Sequence, residues 1–196
     1  MPWETWAGRH TGMMFANKPT LSGERVTLRP VGPEHVDGLW ELINDPETVR
    51  LTGSHGQPDY ETTKQWYGSR GDHDDRLDLA ICAAEDDSYV GEVVLNELDV
   101  HNLSCNLRIA LVGPRVFGKG YGSEAIRLVV DHAFTSTSLH RISLEVFDFN
   151  ERAVHVYRKA GFVEEGVCRD ALRQGDRWHD SIIMSALAPD WGVKEV

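Results

Sequence analysis

Gly118, Gly120 and Gly122 stand at alternate positions in the run Arg115-Val116-Phe117-Gly118-Lys119-Gly120-Tyr121-Gly122-Ser123. Without a Cβ, glycine lets such a run fold tightly and leaves its N–H groups unobstructed. Ala125, Ile126, Val129, Val130, Ala133 and Phe134 follow in two rows at i, i+4 spacing, which predicts an amphipathic helix. At a helix N-terminus the free N–H groups converge where the macrodipole is positive, so the run can hold a pyrophosphate. A plain strand-to-helix turn explains the glycines alone equally well. No Gly-Lys-Ser/Thr closes the run, which excludes a Walker A loop, and the Gly-x-Gly-x-Gly spacing does not fit a dinucleotide fingerprint.

A second constellation lies downstream. Asn150 opens a helix, Ala153 follows, Tyr157 stands about two turns along, and Gly161-Phe162 closes it. Asn is a good N-cap and Tyr157 can simply pack, so each residue alone has a structural explanation. Other groupings carry less. The nine His residues include no H-E-x-x-H and no pairing with Cys at zinc spacing, so no metal is expected. Asp72-His73-Asp74-Asp75 lacks the rest of an EF-hand loop. No Gly-x-Ser-x-Gly elbow of a hydrolase is present.

The elements that must position these groups are legible in outline. Arg25–Arg29 alternates as a strand, and Pro33 starts a helix carrying Val36, Leu39, Trp40, Leu42 and Ile43 until Asp45-Pro46 breaks it. A helix over Tyr60–Ser69 precedes three strands, Leu77–Ala84, Tyr89–Leu98 and Ser104–Val112, whose simplest arrangement is an antiparallel meander. After the glycine run and its helix come a strand at Arg141–Val146, a helix at Glu151–Ala160, and two strands, Phe162–Arg169 and Trp178–Leu187. The order predicts one mixed α/β domain of six to seven strands and about four helices. Its expected bounds are 21–188, with an arm at 1–20 and a tail at 189–196. The arm carries Trp3, Trp6, Met13, Met14 and Phe15, and is expected to dock on the domain or on a second subunit. Trp40, Trp66, Trp178 and Trp191 are expected in core and interface.

At 196 residues the chain is long enough for one ordinary core. With 20 Lys plus Arg against 31 Asp plus Glu, the formal net charge is -11, which argues against general binding of nucleic acid or anionic membranes. The same field favours a cationic substrate such as an amine, although solubility explains it as well. Cys82, Cys105 and Cys168 form no Cys-x-x-Cys pair, so a disulfide framework is not expected. The absence of an apolar run of about 18 residues and of a signal-like start places the expected location in the cytoplasm.

Arg115-x-x-Gly118-x-Gly120 resembles the acyl-CoA pyrophosphate signature of the GCN5-related N-acetyltransferases (GNAT), and Asn150-x-x-Ala153-x-x-x-Tyr157-x-x-x-Gly161-Phe162 resembles their second signature. Glu24-Arg25-Val26-Thr27-Leu28-Arg29-Pro30 looks like the first strand of the RimJ/RimL-type branch. The likeness covers about residues 21–188. It implies a twisted, mostly antiparallel sheet split near an acyl-CoA site, and acetyl transfer from acetyl-CoA to a primary amine by direct attack. Backbone groups of Ile109, Ala110 and Leu111 would pair with the pantetheine arm as an added strand. Those of Val116, Phe117, Gly118, Lys119, Gly120, Tyr121, Gly122 and Ser123 would surround the pyrophosphate, with Arg115 and Lys119 supplying positive charge. Asn150 would hydrogen-bond the pantetheine beside Ala153, and Tyr157 would protonate the departing thiolate.

The general base departs from the family pattern. Many relatives carry a Glu in the strand before the glycine loop, where this chain reads Cys105-Asn106-Leu107-Arg108. Glu92 and Glu97 are the nearest candidates and alternate to opposite faces; a water-mediated route is equally open. A non-catalytic acyl-CoA sensor is the alternative function. The acceptor class spans protein N-termini, polyamines, aminoglycosides and peptide-like antibiotics. Asp45, Glu47, Asp59, Glu61, Asp170 and Asp176 lie in the segments expected to form its side. A homodimer is a reasonable assembly, since symmetric pairs are the commonest.

Overall fold

In the computed structural model residues 14–192 are described, apart from Gln57, so the expectations for Trp3, Trp6, Met13 and residues 193–196 lie outside the described residues. The strands are β1 (Leu21–Ser22), β2 (Val26–Pro30), β3 (Leu77–Ala83), β4 (Tyr89–Asp99), β5 (Ser104–Leu111), β6 (Arg141–Phe147), β7 (Val163–Gln174) and β8 (Arg177–Leu187). The helices are α1 (Val36–Asn44), α2 (Pro46–Thr52), α3 (Tyr60–Gly68), α4 (Tyr121–Ser136) and α5 (Glu151–Ala160), with short 3-10 turns at Pro33–His35, Arg70–Asp72 and Pro114–Val116. All eight strands form one sheet in the order β1-β2-β3-β4-β5-β6-β8-β7. Among the described residues only the β5–β6 pair is parallel; every other pair is antiparallel.

The architecture is the expected mixed α/β sheet, with one more strand and one more helix among the described residues than the sequence pattern predicts. The extra strand is the two-residue β1, too short for any periodicity, which pairs Leu21 with Leu28. The extra helix is α2. Asp45-Pro46 does end α1, but the same dipeptide starts α2. The Asp45 side chain accepts from the Thr48 N–H at 2.7 Å, Pro46 occupies the first turn where no amide partner is needed, and Gly53 closes the helix at φ 62°.

Helices cover both faces, so β3 is buried at every position and reads as a near-continuous apolar run. On one face Ala125, Ile126, Val129, Val130 and Phe134 of α4 pack against Leu28, Leu79, Ile81, Val93, Leu95 and Ile142. Phe15 is buried in this same core ahead of β1, and Met14 packs beside it. Val36, Leu39 and Leu42 of α1, with Tyr67 of α3, cover Ala80, Cys82 and Val112 on the other face. Trp191 joins the first core edge-on to Phe134 and Phe162 and donates to Asp131 at 2.5 Å. Trp66 and Trp178 lie outside the core on the surface, 46% and 57% exposed. The Arg70 guanidinium lies 3.6 Å above the Trp66 ring, so the indole finds an amphipathic partner without burial.

Two details position the site. β5 and β6 pair only over Ser104–Asn106 and Arg141–Ser143, then part, which leaves β5 from Leu107 onward without a partner on that side. Glu124, in the first turn of α4, is buried and accepts the backbone N–H groups of Glu24, Arg25 and Val26 at 3.0, 2.7 and 2.9 Å. That single carboxylate fastens the turn between β1 and β2 to the start of α4.

Candidate active site

The glycine run occupies the connection from β5 to α4. Gly118 and Gly120 adopt φ 75° and 85°, a left-handed backbone that strains residues with a Cβ, so glycine here follows from the path of the chain. The Val116 and Phe117 N–H groups are turned inward onto Gly113 and Pro114 carbonyls. From Gly118 to Ser123 no backbone amide finds an acceptor among the described residues, and the first intrahelical bond is Glu124 N–H to Gly120. A Cβ at Gly118 would meet nothing within 4 Å. The result is an open cradle of amides at the N-terminus of a 16-residue helix, which suits a diphosphate.

Of the two expected cations, Arg115 is committed elsewhere: its guanidinium forks the Glu41 carboxylate at 2.8 and 2.9 Å. Lys119 reaches over the Tyr121 ring at 5.9 Å. Two arginines that sequence reasoning missed also stand beside this loop. Arg25 Cδ is 3.2 Å from the point where a side chain at Gly120 would begin. Arg152, in the first turn of α5, stacks over Phe117 at 3.8 Å and so spans the gap between the two lips of the split sheet. A cation at a helix N-terminus opposes the macrodipole. Arg25 lies in the first-strand stretch and Arg152 at an unspecified position of the second signature, and neither motif marks them as ligand groups, so only the fold brings them here.

Along the split, the Leu111 carbonyl already accepts from Gly113 N–H at 2.9 Å and from the Thr48 hydroxyl at 2.9 Å. Val112 N–H bonds Val90 across β4. Alternation therefore turns the backbone groups of Ala110 toward β4 and leaves those of Ile109 on the open side. Of the three residues read as an added-strand edge, Ile109 is thus the one whose N–H and C=O are free to pair. On the opposite lip Asn150 caps α5, its side-chain oxygen accepting from Ala153 N–H at 3.2 Å, which leaves its amide NH2 free to donate. Tyr157 is buried, edge-on to Phe162, and its hydroxyl has no hydrogen-bond partner among the described residues. Burial pushes this phenol above the ordinary range, so it stays protonated and able to donate.

The two candidate bases separate. Glu97 sits in a bulge of β4 at φ 54°, exposed, beyond the point where β5 and β6 close together. The bulge, which alternation alone does not reveal, removes it from the split. Glu92 lies between Ala80 and Ala110 in the register, on the sheet face beneath α3. Its carboxyl is pushed up by burial and by Asp78, against the opposing pull of Tyr67, Arg108 and Arg76. A carboxyl shifted in this direction binds a proton more readily near neutrality than an ordinary Glu. Asn106 stands at the last pair before the strands part and donates to Asn96 at 3.2 Å, a neutral contact that holds no titratable proton.

A profile described as "Acetyltransferase (GNAT) domain" matches residues 25–163. The spermidine N(1)-acetyltransferase of Vibrio cholerae is 34% identical over 156 residues, covering 80% of this chain and 89% of that protein. The probable N-acetyltransferase YjcK of Bacillus subtilis is 34% identical over 128 residues, covering 63% and 68%. Among solved structures, spermidine N-acetyltransferase from Vibrio cholerae in complex with CoA and spermine superposes with a TM-score of 0.78 at 25% identity, covering 86% of this chain and 99% of that one. A GNAT-family acetyltransferase from Bacillus anthracis shares the fold with a TM-score of 0.76 at 20% identity, covering 87% and 99%. With the amide cradle, the parted strands and these likenesses together, the chain belongs to the GNAT acetyltransferase family and is an N-acetyltransferase of that type.

Proposed function

We propose that the enzyme moves an acetyl group from acetyl-CoA to the primary amine of a small molecule or peptide by direct attack, and that it is a RimJ/RimL-type member of the family. The observation that carries this reading is the parting of β5 and β6 beside the cradle at Gly118–Ser123. It supplies a free strand edge at Ile109 and a diphosphate site at one end of it. Acetyl-CoA, when bound, supplies the thioester that the amine attacks. The cradle amides hold the diphosphate, the Asn150 amide orients the arm, and the Tyr157 hydroxyl donates its proton to the departing sulfur. Glu92 takes the amine's proton, directly or through water. Relatives that acetylate spermidine support a small amine as acceptor.

In the same reading the catalytic domain spans residues 21–188, flanked by the arm and tail, works as a homodimer, and acts in the cytoplasm, which suits three free cysteines. Titration calorimetry with acetyl-CoA is the direct test: no heat at millimolar ligand overturns the assignment. Asn106 keeps a second reading in view, a sensor that binds acyl-CoA without turnover. Acceptor-stimulated thiol release separates the two, since a sensor binds the cosubstrate and releases nothing.

A further inference from the structure

We propose that the acceptor amine also carries a carboxylate, which Arg70 and Arg108 hold on the sheet face beneath α3. The inference rests on the acetyl-transfer reading and narrows its substrate class. In the register Arg108 stands opposite Val94, which stands opposite Asp78, while Glu92 stands between Ala110 and Ala80. Arg108 and Glu92 are therefore diagonal neighbours on one face, a separation of about 7–8 Å that long side chains bridge. Arg70 comes down from the 3-10 turn after α3, close enough to Asp78, Glu92, Arg76 and Arg108 to feel all four charges.

The charges in this group do not cancel. Arg76 forks Asp78 at 2.6 and 2.7 Å, a pair complete in itself and with Asp78 buried. Glu92, the proposed base, faces Tyr67, and even as the anion it leaves three arginines against two carboxylates. Arg70 and Arg108 remain, two guanidinium groups near one another with no ion pair or side-chain hydrogen bond among the described residues. The Arg70 Nε is the one buried side-chain polar atom without a hydrogen-bond partner among the described residues. Its guanidinium carbon lies 3.6 Å from the centre of the Trp66 ring, a cation–π contact that holds the group in place. A buried donor left unpaired is costly and calls for a partner, and a planar fork matches a carboxylate in two-point contact.

The place fits the chemistry. Arg108 lies on β5 within the stretch that has parted from β6, so a carboxylate anchored there puts the rest of the same molecule beside the open edge. The molecule as a whole is acidic at -11, yet here two arginines without ion partners among the described residues stand beside the open edge. A polyamine, which carries only positive charge, meets repulsion here, whereas an amino acid or a peptide with a nearby carboxylate meets its counter-charge.

Matched acceptors test this directly: lysine against cadaverine, ornithine against putrescine, and glycylglycine against glycylglycine amide, by thiol release at saturating acetyl-CoA. In each pair the expected kcat/KM favours the carboxylate member by about tenfold or more, the worth of one charge-assisted contact. Arg108→Gln and Arg70→Gln are expected to bring the pair to parity through the acceptor KM, with acetyl-CoA affinity unchanged. Arg108 is exposed, so its replacement does not threaten folding. Equal or better turnover of the carboxylate-free members, or turnover of spermidine with none of the carboxylate members, overturns the inference. Loss of acetyl-CoA binding in the unmodified enzyme instead overturns the reading beneath it.

Discussion

The two sides of the cleft are made of different materials. The cradle at Gly118–Ser123 is backbone: its donors are amides, aimed by a helix and by two left-handed glycines. The face beneath α3 is side chain: Arg70, Arg76, Asp78, Glu92 and Arg108 arrive from a turn, the lead into β3, and three strands. A backbone site demands residues that lack something, and those leave a compact signature in sequence. A side-chain site needs only the right groups at the right register, and its members are scattered over about forty positions.

If backbone holds and side chains react, substitutions should divide cleanly. Tyr157→Phe is expected to lower kcat by about 10²-fold, with acetyl-CoA affinity by calorimetry nearly unchanged. Full turnover in that variant would reduce the tyrosine to packing against Phe162. Gly120→Val is expected to do the reverse. At φ 85° a β-branched residue costs roughly 1–2 kcal/mol and crowds Arg25, so the acetyl-CoA KM should rise by about tenfold while saturated turnover survives. An unchanged KM would mean that the diphosphate does not lie on this loop.

Glu92 gives the comparison a pH axis. Its carboxyl is raised in the folded state by burial and by Asp78. The folded protein therefore keeps this proton to higher pH than the unfolded chain does, and stability from this group falls as pH climbs through the folded value. Glu92→Gln, which stays neutral, is expected to raise Tm at pH 8 relative to the parent and to leave it unchanged near pH 4. The same variant should lose the acidic limb of the kcat/KM profile, a limb that should lie above the ordinary Glu range. An unaltered profile would remove Glu92 as the base while leaving its stability effect intact.

The smallest effect is expected on the outer strands. Arg141 and Ser185 hold the Glu165 carboxyl down at about 2, so that pairing persists well into acid. The pair is partly exposed, however, and Arg141→Gln should cost less than about 1 kcal/mol in urea unfolding.

Legibility followed the same division. The helices α4 and α5 were readable from apolar rows and from Asn150 and Gly161, because burial on one face writes a period into the chain. The glycine loop was readable because left-handed backbone restricts residue choice. Asp45-Pro46 was half readable: a proline marks a boundary but not which helix it belongs to. Alternation set Glu92 and Glu97 apart, but the bulge at Glu97 was not readable, because a bulge adds a residue without changing composition. Arg152 and Arg70 carried no signal as ligand groups, since an arginine reads the same in sequence whether it faces water or a ligand. The paired fate of Arg115, taken by Glu41 from 74 residues away, was equally invisible.

The Glu124 latch has a kinetic consequence. The amides of Glu24, Arg25 and Val26 wait for a carboxylate about a hundred residues later in the chain, so their closure is among the longest-range events in folding. Until it forms, the start of α4 and the loop ahead of it lack their tie to the opposite edge of the sheet. Hydrogen exchange at those three amides, which are bonded to Glu124, therefore reports on the seating of the cradle. Their protection should rise together with acetyl-CoA occupancy.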